Sequence, residues 1–144
     1  MTNTSTWRHD EARGGRPIAA GLAYWSLIFA LGFALGTVRV MWGAAALGEG
    51  TFILIELPIM LGASWLAARW LTRRFRVAST GAALAMGALA FALLMLAEIA
   101  LTAAMGASPA VWLASLTRPP HLYGFLGQLA FGAMPLVAVR VAGR

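Results

Sequence analysis

Residues Thr80 to Gly106 read TGAALAMGALAFALLMLAEIALTAAMG and carry a single ionisable side chain, Glu98. About 20 consecutive apolar residues are enough to take an α-helix across a hydrocarbon core roughly 30 Å thick. The stretch exceeds that length and lacks the alternation of apolar and polar residues that a membrane barrel strand requires. A membrane-spanning helix over about 80–105 follows. The rest of the chain has the same character, with 60% of its 144 residues hydrophobic and 11% charged, against roughly 25% charged in an average soluble domain.

Three further runs match this one. They cover about 18–42, 51–71 and 122–139, so the expectation is an all-α integral membrane four-helix bundle over residues 17–144. Residues 1–16 read as a disordered cytoplasmic tail. The first run is a retained span rather than a cleaved signal, because it is about twice the length of a 7–15-residue signal core and holds Arg39. Between the third and fourth runs, PAVWLASL reads as a short interfacial helix with Trp112 at headgroup level, stopped by Pro119 and Pro120.

All eleven basic residues are arginine. The tail holds Arg8, Arg13 and Arg16, the middle loop Arg69, Arg73, Arg74 and Arg76, and the C-terminal end Arg140 and Arg144. The segment GAAALGEG has none and the segment before the last run has only Arg118. The positive-inside rule then gives an N-in/C-in topology with those two arginine-poor loops outside. Arginines split among short flanking segments do not form a nucleic-acid surface. With no cysteine and two histidines, thiolate chemistry is excluded, and neither a metal nor a cofactor is expected.

Against this apolar background four polar groups fall at one depth. Counting from the outer boundary at about 1.5 Å per residue, Arg39, Glu56, Glu98 and Gln128 lie some 5–11 Å below the surface, one on each span. A charge inside a span costs about 2.5–3.5 kcal/mol on insertion scales and normally faces the bundle interior. A buried cluster is therefore expected, read as a triad in which the Arg39 guanidinium serves one or both carboxylates. Within it Arg39 is assigned first to Glu56, since consecutive spans joined by a short loop are usually antiparallel neighbours. In the inner half only weakly polar residues such as Ser26 are noted.

Glycine shares the stripe of the polar group on three spans: Gly32 and Gly36 with Arg39, Gly87 with Glu98, and Gly124 and Gly132 with Gln128. These five are expected to let helices approach closely. Pro58, two residues after Glu56, and Pro135 mark expected kinks.

The stretches GFALGTVRV, ELPIML and ARWLTRRF, which span Gly32 to Arg74, resemble a small uncharacterised type of bacterial four-span inner-membrane protein. That resemblance implies the bacterial cytoplasmic membrane and no catalytic residues. GFALGTVR is also similar to the first helix of bacterial fluoride channels, but the asparagine-containing second helix and the threonine- and phenylalanine-rich break of the third are missing. Small multidrug exporters place their membrane carboxylate in the first helix, where this chain has none.

Three functions remain. A structural or accessory subunit, self-associating or packed beside a membrane-protein partner in the bilayer, comes first because no catalytic motif appears. A proton- or ion-coupled transporter or channel component using Glu56 or Glu98 is second. An intramembrane enzyme acting on a lipid-like substrate, with His121 or Arg39 holding an anionic group, ranks last.

Overall fold

The computed structural model describes residues 5–143, and their side chains from residue 16. Its elements are α1 (Ser5–Val38), a π-helical turn (Arg39–Gly43), α2 (Ala44–Leu47), α3 (Glu49–Arg74), α4 (Thr80–Ala104), α5 (Pro109–Ser115) and α6 (His121–Ala142). Four helical stretches are long and apolar enough to cross a membrane: Arg16–Leu47, Glu49–Arg74, Thr80–Ala104 and His121–Ala142.

The boundaries move where the sequence signals were weakest. Residues 5–16, read as a disordered tail, are helical backbone continuous with α1; extending an existing helix needs no new nucleus. Residues 1–4 of that tail lie outside the described segment. The eight-residue loop expected between the first two spans is also absent. Its alanines, good helix formers, continue the helix to Leu47, and the chain reverses at Gly48, whose φ of 81° favours a residue without a Cβ.

Other ends are set by local hydrogen bonds. Ser79 caps α4 by accepting from the Ala82 amide at 3.1 Å. At its far end Gly106, φ 77°, closes a Schellman pair in which the Gly106 amide reaches Ala103 O at 3.0 Å and the Ala107 amide Thr102 O at 3.1 Å. The same pairing ends α3, with Arg76 at φ 53° where glycine is usual. Helices α3 and α6 run unbroken through Pro58 and Pro135. Pro58 is thus an interior residue of α3, the tenth from its start, and neither begins nor breaks the helix.

Helix α1 packs on α3 and α4, and α6 packs on the same two. Around the bundle the order is α1, α3, α6, α4, so α3 and α4, consecutive in sequence, sit across from one another. The core follows the helical repeat, with Ala20, Tyr24 and Ile28 on α1, Ala68 and Leu71 on α3, Ala83, Met86 and Ala90 on α4, and Phe131 and Ala138 on α6. Large apolar residues such as Leu22, Leu66, Leu84 and Leu126 stay exposed on the outside of every long helix. A helix apolar on both faces suits an apolar surrounding.

Close backbone approach is concentrated between α4 and α6. A Cβ on Gly87 would fall inside the van der Waals surface of the Gly132 carbonyl oxygen, and one on Gly132 would lie 3.2 Å from Phe91 Cβ. Gly32 faces Met60, whose Cε would be 3.2 Å from an added Cβ. Gly36 and Gly124 do not serve helix packing: the nearest atom to a Gly36 Cβ is Arg39 Nη2 at 3.8 Å, and nothing lies within 4 Å at Gly124. Gly127, pressed by Leu57, and Gly43, pressed by the Phe52 ring, take the packing roles that the stripe pattern missed.

Candidate functional site

At the end of the bundle that carries the Gly48 turn and α5, the four long helices line a half-open cavity of about 640 Å3. Arg39, Glu56, Glu98 and Gln128 all line it. Its deep end is formed by Ile28, Ser64 and Phe131, and exposed side chains such as Val40, Met41 and Met105 lie at its rim.

Arg39 opens the π-helical turn. The Ala44 amide donates to the Arg39 carbonyl five residues back, so one extra residue is accommodated in that turn. Such turns recur at functional sites, and this one begins on the single arginine of the cavity wall. It also turns Gly43 onto Phe52 of α3, where a side chain would collide with the ring.

The polar groups form two pairs rather than the expected triad. Arg39 Nη1 donates to Glu56 Oε2, joining the adjacent helices α1 and α3. Gln128 Nε2 donates to Glu98 Oε1, joining α6 and α4. Helix α1 packs on both α3 and α4, so the division is made by side-chain placement: the Arg39 guanidinium lies on the α3 side and donates to Glu56. Glu98 therefore makes no ion pair among the described residues. Two oxygens are left buried without a donor, Glu56 Oε1 and Gln128 Oε1. Glu56 is only 8% exposed.

Tyr24 and Ser64, both fully buried, were missed by reading the inner half as weakly polar. The Tyr24 hydroxyl donates to the Phe131 carbonyl at 2.9 Å, and its ring stacks on Phe131 at 4.5 Å. That carbonyl is the one whose helical partner would be the amide of residue 135, and proline has none. The sequence signal was Pro135 itself, since a buried carbonyl freed in a helix calls for a donor from elsewhere.

Trp112 of α5 and His121, the first residue of α6, also line the cavity. Among the described residues no three His, Asp or Glu side chains are grouped to hold a metal ion. The arrangement can bind a solute and exchange a proton or cation at a carboxylate.

No protein-family model matches the chain, and comparison with curated proteins and with solved structures gave no match.

Proposed function

We propose that this chain is a four-span integral protein of a bacterial cytoplasmic membrane, N-in/C-in, and that the cavity in its outer half is the working site of a small transporter or channel component. One observation carries the reading: Arg39 donates to Glu56, which leaves Glu98 beside an aqueous-sized cavity without an ion pair and hydrogen-bonded to a neutral amide. A carboxylate in a membrane without a counter-charge is costly unless it takes a proton or a cation. Glu98 is therefore the exchanging group, and the Arg39–Glu56 pair fixes the opposite wall. The orientation rests on the arginine bias, and the bacterial membrane on the resemblance of residues 32–74.

Reconstitution into liposomes under a proton or cation gradient tests this. Flux above that of empty vesicles, lost in Glu98→Gln, is the expected result; equal flux from wild type and variant overturns it. Reporter fusions after Gly48 and after Arg76 should lie on opposite sides of the membrane, and the same side for both would sink the topology.

Composition alone puts the accessory-subunit reading first, and the two inter-helix pairs support it as devices that fix helix register. The cavity is what weighs against it, because register needs no empty volume. A stoichiometric partner retained through purification in mild detergent, identified by mass spectrometry, would favour the accessory role.

A further inference from the structure

We propose that the cavity binds a protonated amine carried on a compact apolar body. The setting rests on the transport reading above, whereas the ligand class follows from separate features of the cavity wall.

Charge comes first. Glu49, Glu56 and Glu98 line the cavity against a single arginine, and that arginine already donates to Glu56. The wall has an excess of negative charge, and a cation is the solute that relieves it. An anion entering the same space would meet uncompensated carboxylates.

Hydrogen bonding narrows the cation. An ionised carboxylate offers only acceptors, and the amide oxygen of Gln128 is an acceptor too. Glu98 fixes the direction of that amide: its carboxylate takes the Nε2 donor, because turning the amide over would oppose two oxygens. Gln128 Oε1 is thereby left without a donor, and Glu56 Oε1, the oxygen that Arg39 does not take, is a second buried acceptor without one. Both belong to side chains that line the cavity, so a group bearing several N–H donors there can supply the missing bonds. An ammonium supplies up to three donors, and a quaternary or alkali cation supplies none.

The remaining wall is apolar. Phe29, Phe33, Phe125, Phe131 and Trp112 line it, aromatic side chains of the kind that accept a hydrocarbon or aromatic body and tolerate a cation close by. The volume of about 640 Å3 lies within the range of roughly 300–1,000 Å3 that accommodates small organic ligands.

Three probes with one body and different heads test this by equilibrium binding to the full chain in lipid nanodiscs: 2-phenylethylamine, 2-phenylethanol and phenylacetate. The amine is expected to bind tightest and phenylacetate weakest. Glu98→Gln should weaken amine binding by about tenfold or more, the loss of a charge-assisted hydrogen bond, and leave 2-phenylethanol unchanged. Phenylacetate binding as well as the amine, or amine binding indifferent to Glu98→Gln, overturns the proposal. Glu98→Asp keeps the charge and controls for folding: it should retain most amine binding, and a loss equal to that of Glu98→Gln would count against a charge-based site. Gradient-driven flux without amine binding would leave the transport reading standing and remove only this ligand class. Amine binding without flux would do the reverse.

Discussion

Replacing Tyr24 by phenylalanine tests how the bundle accommodates a proline in its last helix. The ring and its stacking on Phe131 are preserved, and only the hydroxyl that donates to the Phe131 carbonyl at 2.9 Å is removed. With Pro135 in place that carbonyl has no amide to return to, and its residue is almost fully buried. A buried acceptor left unpaired costs about 1–3 kcal/mol, while hydrogen bonds between helices in a bilayer average nearer 0.6 kcal/mol with a maximum of about 1.7. The expected cost of Tyr24→Phe is therefore about 1–1.5 kcal/mol, roughly a fivefold to tenfold shift in the folding equilibrium. The same change made on Pro135→Ala should cost about 0.5 kcal/mol or less, because the restored amide at 135 satisfies the carbonyl from within α6. The coupling of about 1 kcal/mol is what a double-mutant cycle measures, using reversible unfolding in mixed micelles of rising SDS fraction. Equal costs in the two backgrounds would show that the hydroxyl does not compensate for the proline, whatever Pro135→Ala does alone.

For the Arg39–Glu56 pair, Arg39→Met and Glu56→Gln should each lower folded yield in detergent, by on the order of 3–5 kcal/mol if the site stays dry and less if water enters; the double variant should recover above the worse single one, and failure to recover would refute the pairing. Gly87→Ala should destabilise by about 1–3 kcal/mol, since its methyl would enter the Gly132 carbonyl oxygen, whereas Gly124→Ala, with open space around it, should be within about 0.5 kcal/mol of wild type in the same unfolding assay. Arg76→Gly relieves a non-glycine residue at φ 53° and should stabilise by about 1 kcal/mol; no change in the SDS midpoint would argue against strain at that turn.

Much of the site is legible along the chain because charges are rare there. With one acidic residue between Thr80 and Gly106, Glu98 identifies itself, and a count of helical rise from the same boundary puts Arg39, Glu56 and Gln128 at a similar depth. Hydrophobic run length likewise reveals the four long helices, since that signal is local and strong. The ends were less legible. Alanine-rich GAAALG satisfies helix and loop alike, and only the reversal at Gly48 distinguishes them.

Partner choice was decided by the fold. The packing order α1, α3, α6, α4 sets Arg39 beside the helices of both carboxylates, and side-chain placement within that order gives the pairs Arg39–Glu56 and Glu98–Gln128. That order depends on the fit of non-local surfaces, with Gly87 against Gly132 as its closest point, and periodicity along one helix says nothing about which neighbour it will meet. For the same reason the stripe pattern credited Gly36 and Gly124 with packing and overlooked Gly43 and Gly127. The sequence by itself determined how many helices are long and apolar enough to span a membrane, where the polar groups sit along them and that Pro135 frees a carbonyl. Tertiary packing alone decided that Tyr24 answers that carbonyl and that the space beside Glu98 stays open, because both depend on side chains from helices far apart in sequence meeting at one depth.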